Sequence, residues 1–449
     1  MDASILRRFL DETILDQGIS NPNFFNGRIL TAQDLKDEQA ANRGQRQQLG
    51  KALGDGIAFG LEAELVAGAD GSDGNPPVVH INPGLAVNRR GQAIALPVGI
   101  DLALARKPPP LPADAGLFSD CLPPGGSSAP LDRSVYLLVA SPDSGYREQA
   151  PLRGFKDGKV AGCGDRYAVE GLRFRVEELQ LSALDKLSQA TRDALAELMA
   201  KDDAASLSKL RNGLAHACFG TEELNGLARD PFRLKANQPP SHGAADALRA
   251  GGQLTDCDVP LALLYWTPNG IRFLDMWAVR RRLTQPATLS RWPAMPDDRR
   301  LSEGEAMVQQ FLDQLEAIRN DPRENPGAIQ AVDRFTYLPP VGMVALYANG
   351  FPAGFHPDLF FEGIVHRPSA YIEGARLATL MRTALNYPPI DLGSGVMVWV
   401  YRVRENADPK AAAAGQPAAQ PYLLFGSGHM PYMGDPHYDV NRWDFSNWA

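Results

Sequence analysis

The sequence lacks the features that mark membrane-spanning, secreted and nucleic-acid-binding proteins. No window approaches the roughly 20 consecutive apolar residues that a transmembrane helix needs, and Asp11, Glu12 and Asp16 interrupt the apolar N-terminus where a secretory signal requires an unbroken run. A net charge of −8 argues against a surface that binds nucleic acid. The four cysteines form no CxxC pair, which excludes a zinc ribbon. We therefore expect cytoplasmic synthesis and assembly.

Motifs that carry catalysis are also missing. Neither Gly125-Gly126 nor Gly251-Gly252 is followed by the lysine and helix of a phosphate-binding loop. Ser427 has glycine on both sides but not in the G-x-S-x-G frame of a hydrolase. The histidines closest to a metal-binding pattern, His429 and His437, lack the spacing of a rigid site. The sequence predicts no catalytic residue, no cofactor and no metal site, and the protein is interpreted as not an enzyme.

The sequence predicts that residues 1–56 form a helical N-terminal segment. The apolar positions between residues 3 and 16 recur at helical spacing, but a helix this short is marginal without a surface to pack on. Thr31 predicts the cap of a second helix that runs to about Leu53. Because that helix is polar nearly all round, we interpret the segment as one that packs against another chain.

The rest of the sequence predicts an α+β protein built mainly of antiparallel β modules. Residues 57–300 contain short β-type runs separated by Gly, Pro, Asn and Asp, with a helical-hairpin insertion at about 181–220. Residues 301–449 predict a C-terminal α+β domain that ends in an aromatic tail. Rings this numerous are costly to leave in water, so the tail is expected to dock on its own domain or on a neighbour. The tail residues are Tyr432, Tyr438, Trp443, Phe445 and Trp448.

Three segments carry a resemblance to a known class of assembly proteins. They are residues 23–35 (NFFNGRILTAQDL), 56–62 (GIAFGLE) and 81–87 (INPGLAV). Together they resemble baseplate and tail-fibre proteins of extracellular contractile injection systems, which are phage-tail-like particles. The resemblance implies a structural subunit that is attached through its N-terminal module and that belongs to a particle released from the cell or held at its envelope.

The resemblance also implies the partners. They are other subunits of the particle and further copies of the chain, without nucleic acid and without direct membrane insertion. The residues expected to form the assembly interface are Ile5, Phe9, Phe24, Phe25, Arg28 and Leu35.

Two other functions remain open from the residues alone. The chain fits a cargo or effector of such a particle, because a pair of carboxylates facing each other across a cleft is invisible in a sequence. It also fits a carbohydrate-binding module that uses Trp266, Trp277, Trp292 or the tail aromatics. A cleft with converging carboxylates would favour the first function, and an exposed aromatic platform the second.

Overall fold

The computed structural model describes residues 18–105, 121, 133–153, 160–184, 186–229, 241–285, 298–406 and 419–434. These residues form an α+β protein with mostly antiparallel sheets, which confirms the expected fold class. The helices are α1 (Ala32–Leu53), α2 (Gln189–Met199), α3 (Ala204–Phe219), α4 (Thr221–Arg229), α5 (Ala244–Ala250), α6 (Asp298–Asn320), α7 (Ala331–Arg334), α8 (Pro357–Phe360) and α9 (Gly374–Ala384).

The strands form five sheets within the described residues. The strands are β1 (Gly56–Gly60), β2 (Ala63–Leu65), β3 (Val78–Ile81), β4 (Gly84–Val87), β5 (Ala93–Leu96), β6 (Ile100–Ala103), β7 (Ser134–Arg153), β8 (Val160–Glu178), β9 (Val259–Thr267), β10 (Gly270–Asp275), β11 (Tyr337–Leu338), β12 (Val341–Ala345), β13 (Ala370–Ile372), β14 (Ile390–Asp391), β15 (Val398–Val403) and β16 (Tyr422–Ser427). The sheet orders are β1-β4-β5, β2-β3-β6, β10-β9-β7-β8, β11-β14 and β12-β16-β15-β13.

The central sheet β10-β9-β7-β8 separates two hydrophobic cores. Alternate residues of a strand point to opposite faces. On one face Val135, Leu137 and Val139 pack with the leucines of α2 and α3. On the other face Tyr136 and Leu138 pack with the small N-terminal sheets β1-β4-β5 and β2-β3-β6. Both faces of this sheet are therefore covered where β7 pairs with β9, the first by the predicted helical hairpin.

A segment after β10 packs against the two small sheets β1-β4-β5 and β2-β3-β6, which we call the N-terminal β unit. Thr284 and Arg282 form bridges to Asp55 and Ile57 at the start of β1. The Arg280 side chain donates hydrogen bonds to the carbonyl oxygens of residues 60 and 61, at 2.5 and 3.0 Å. The N-terminal β unit thus depends on residues more than 200 positions further along the chain.

The C-terminal sheet packs against α6. Strand β13 is parallel to β15, and the other pairs in this sheet are antiparallel. Phe311 of α6 contacts Phe335 and Phe425, with ring centroids 5.1 and 5.3 Å apart. Residues 337–338 connect this unit to the central one, because Asn212 of α3 hydrogen-bonds to the backbone of Tyr337 in both directions.

The structure pairs two of the cysteines. Cys121 and Cys257 form a disulfide that links positions 136 residues apart. Cys163 is exposed and Cys218 is buried, and both are free thiols. Spacing along the sequence gave no sign of this pairing.

Candidate functional site

The N-terminus of α1 is held by a local network. The Thr31 hydroxyl accepts a hydrogen bond from the Asp34 amide at 3.2 Å, and the Asp34 carboxylate accepts one from the Thr31 amide at 2.9 Å. This reciprocal pair is a capping box, here with aspartate at the third position. The hydrogen bonds from Thr31 hold the pKa of Asp34 below its ordinary value. The predicted cap at Thr31 is confirmed.

Among the described residues, helix α1 has two buried positions, one in its middle and one near its C-terminal end. Its buried residues are Ala41 and Gly50. A side chain at Gly50 would overlap the carbonyl oxygen of Gly91 in the β4–β5 turn, since a Cβ there would lie 2.1 Å from that oxygen. Only glycine permits this approach. The earlier turns of α1 are anchored less, with Ile19 lying against Gly44.

Large apolar side chains are exposed along this N-terminal segment. We call them the N-terminal apolar patch. Its members are between 49% and 85% exposed: Phe24, Phe25, Ile29, Leu30, Leu35, Leu49, Leu53 and Phe59. Large apolar side chains that are exposed along one segment indicate a candidate surface for binding another molecule.

The predicted interface residues lie in different surroundings. Phe24, Phe25 and Leu35 belong to the N-terminal apolar patch. Arg28 does not point outward in the same way, because its guanidinium bonds to Asp34 and, at 2.6 Å, to the carbonyl oxygen of Asn23. Arg28 therefore ties the turn before α1 to the helix cap. Ile5 and Phe9 lie outside the described residues.

The described part of the C-terminal tail packs on its own sheet. The Tyr432 ring lies 5.1 Å from Trp399 and 6.0 Å from Tyr401, measured between centroids. Trp399 also donates a hydrogen bond to the carbonyl oxygen of Met430, whose side chain is 2% exposed. The other predicted tail residues, Tyr438, Trp443, Phe445 and Trp448, lie outside the described residues, so docking of the whole tail stays a prediction.

A cavity of about 650 Å³ lies between the N-terminal β unit, α5 and α6. Its wall is densely charged. Asp246 of α5 lines the cavity. Its carboxylate forms ion pairs with Arg89 of the β4–β5 turn at 2.7 Å and with Arg299 of α6 at 3.0 Å. Burial alone would raise the pKa of Asp246, but Arg299, Arg89 and Arg249 outweigh it and hold the pKa far below its usual range. The cluster thus joins three segments through one ionised carboxylate.

Glu303 is the second anion of the cavity wall. It accepts hydrogen bonds from His242 Nε2 at 2.7 Å and from Arg299 Nε at 2.9 Å. Burial opposes ionisation of Glu303, yet His242 and Arg299 hold its pKa far below the ordinary value. Nearby, burial lowers the pKa of Arg281 to about 10, although the charge of Glu303 opposes this shift.

The chemistry of this cavity favours a structural role. Two acids are fixed as anions by guanidinium groups, and burial raises the pKa of the Cys218 thiol to about 12, so that thiol is not a nucleophile at neutral pH. Four buried polar atoms of the wall have no hydrogen-bond partner among the described residues: His242 Nδ1, Arg249 Nε, Ser302 Oγ and Glu303 Oε2.

Sequence reasoning missed this cluster entirely. Its members are far apart in the chain, with Arg89 and Asp246 separated by 157 positions, and no spacing rule connects them. Ser302-Glu303-Gly304-Glu305 predicts a capping box at the start of a helix, but α6 begins at Asp298 and runs through these residues. Ser302 and Glu303 line the cavity instead.

The described residues contain no group of three or more His, Cys, Asp or Glu side chains placed to hold a metal ion. None of their helices combines the length and the apolar character needed to cross a membrane.

No family model and no curated protein matches the chain. Among solved structures, the chain is similar to a chain of the type VI secretion system TssK-TssF-TssG baseplate subcomplex, determined by cryo-electron microscopy. The similarity covers 51% of this chain and 97% of that chain, with 12% sequence identity and a TM-score of 0.18. A TM-score this low does not indicate a shared fold.

Proposed function

We propose that the protein is a non-enzymatic structural component of a contractile injection or phage-tail-like particle, associated with its baseplate, fibre or surface. In this proposal the N-terminal module attaches the chain to another subunit. The sequence resemblance of residues 23–35, 56–62 and 81–87 to such proteins supports the class of particle. The N-terminal apolar patch supports the site of attachment and is the observation that carries the proposal.

The geometry of α1 explains why the patch needs a partner. The helix has 22 residues and is about 33 Å long at 1.5 Å per residue, but it buries few of them against its own protein. Helices gain most of their stability in proteins from packing of an apolar face. A neighbouring subunit that covers Phe24, Phe25 and Leu35 supplies that packing, and burying each of these side chains stabilises the contact by roughly 1.5–3 kcal/mol.

The two competing functions receive less support. Trp266 and Trp277 pack against the hydrophobic cores, so they offer no flat exposed platform for a sugar, and Trp292 lies outside the described residues. Five carboxylates line the cavity, and four of them, Asp55, Asp246, Asp258 and Glu303, pair with arginines, which is unsuited to general acid catalysis. An activity abolished by one Asp or Glu substitution in a folded protein would contradict the non-enzymatic part of the proposal.

Incorporation into particles tests the attachment. The variant carries Phe24→Ser, Phe25→Ser and Leu35→Ser, and the matched control carries Val98→Ser and Val365→Ser at exposed positions elsewhere. We expect the amount of variant that sediments with particles from producing cells to fall about tenfold or more, since 1.4 kcal/mol is a factor of ten in binding. The melting temperature should stay near that of the control.

Two results would contradict the proposal. One is normal incorporation of the triple variant, which would place the attachment elsewhere. The other is a wild-type chain that is absent from every particle fraction, which would remove the structural role itself.

A further inference from the structure

Strands β7 and β8 extend far beyond the body of the protein. Strand β9 pairs with β7 only from Ser134 to Ala140. Beyond that point β7 pairs with β8 alone, as far as Arg153 opposite Val160. We call this two-stranded part, residues 142–153 and 160–172, the β arm. At about 3.3 Å per residue it is roughly 40 Å long.

Much of the β arm is exposed, and no further strand among the described residues pairs with it. Tyr146 and Tyr167, on opposite strands, are 50% and 47% exposed. Leu172 and Phe174 at its base still pack against the body, but the residues beyond them do not belong to a core. A two-stranded ribbon is only marginally stable in water by itself. An additional strand along one edge would stabilise it.

The two edges of the β arm differ. The β7 edge contains Pro142 and Pro151, which lack an amide hydrogen, and Glu148, whose φ of 58° departs from an extended strand. Such features block pairing with another strand. The β8 edge from Gly164 to Arg173 contains no proline and no residue with positive φ. The β8 edge is therefore the one that can accept a further strand.

The sequence of the β8 edge is complementary to itself. In an antiparallel pair of two copies centred on Ala168, Arg166 of one copy lies opposite Glu170 of the other, and Tyr167 lies opposite Val169. Opposite charges and aromatic–β-branched pairs are both favourable across strands. A two-fold axis repeats each of these contacts, because the same surface serves both copies.

We propose that two copies of the chain associate through their β8 edges, antiparallel and centred on Ala168, so that the two β arms form one four-stranded sheet. Existing contacts leave Arg166 available for this. It binds Glu148 at 3.1 Å and lies over the Tyr167 ring at 5.0 Å, but both ionic partners are more than half exposed. The association does not depend on the proposed function.

Charge reversal tests the register of this pairing. Arg166→Glu alone and Glu170→Arg alone each place like charges opposite one another twice per dimer, so each should weaken dimerisation about tenfold in a sedimentation concentration series. The double variant restores opposite charges and should restore the dimer. Arg147→Glu, on the β7 edge, is the matched control and should change nothing.

Cross-linking tests the centre of the interface. In a Cys163→Ser background, Ala168→Cys should form a disulfide-linked dimer on mild oxidation, because directly opposed residues have Cβ atoms about 4.5–5.5 Å apart. Tyr146→Cys, on the other strand of the arm, should not. A wild-type chain that stays monomeric at all concentrations, a double charge variant as weak as the single ones, or equal cross-linking at positions 168 and 146 would each overturn the proposal.

Discussion

The buried carboxylate of Glu303 is expected to stabilise the folded protein. Its carboxylate accepts hydrogen bonds from His242 and Arg299, and its negative charge also interacts with that of Arg281. Glu303→Gln would leave buried guanidinium groups without their counter-ion, and breaking one partner of a buried ion pair costs about 3–5 kcal/mol. Urea unfolding should show a loss of that size, whereas Glu197→Gln, in the exposed pair with Lys201, should change little. A loss below about 1 kcal/mol would show that water already screens the cluster.

Asp313 of α6 is expected to make the folded protein less stable as the pH rises. Burial raises its pKa to about 6, although Arg211 opposes the shift. Since the folded-state pKa lies above the unfolded value, the stabilisation from the protonated form is complete below about pH 4 and is lost as the pH rises through 6. Asp313→Asn should therefore raise the melting temperature relative to the wild type at pH 8 but not at pH 4. The exposed Asp333→Asn is the control, and an equal effect at both pH values would contradict this assignment.

The site residues show why prediction from the sequence succeeded only for local features. Thr31 and Asp34 are three positions apart, so the cap they form is readable from a spacing. Arg28 was expected at an interface, but its nearest acceptors belong to its own turn and helix cap. The contacts of Asp246 with Arg89 and Arg299 depend on the packing of distant segments. No pattern in a single sequence encodes such contacts.

At the scale of elements, the segment that follows β16 is expected to stabilise the C-terminal sheet. Met430 is 2% exposed, and Tyr432 packs on Trp399. Truncation after Ser427 removes both side chains, and the loss of Met430 alone should cost about 1.5–3 kcal/mol. Thermal unfolding of this variant should be compared with that of a chain ending at Gly434, which keeps both contacts. If the two truncations melt alike, these contacts do not stabilise the sheet.

The lengths of elements were harder to predict than their existence. Pro142, Asp143 and Gly145 favour a turn, yet β7 continues to Arg153, because pairing with β8 outweighs these local preferences. Residues 370–372 form β13, which pairs in parallel with β15, so α9 begins only at Gly374.

At the scale of the whole molecule, contacts join segments that are far apart in the sequence. The disulfide between Cys121 and Cys257 connects distant parts of the chain, and Asn212 joins the helical hairpin to β11. The predicted division at residues 56 and 300 remains a prediction. Contacts such as those of His242 with Glu303 and of Asn212 with Tyr337 cross the predicted boundary at residue 300.

The return of residues 280–284 to β1 limits how this chain can be recombined. A gene fusion that transplants residues 1–105 onto another protein would carry β1 without the bridges from Arg282 and Thr284, and would leave two backbone carbonyls without the Arg280 donor. The N-terminal module is consequently not a unit that can be exchanged on its own. Hybrid chains that exchange it should retain residues 270–285 from the same parent, so that the two segments are inherited together.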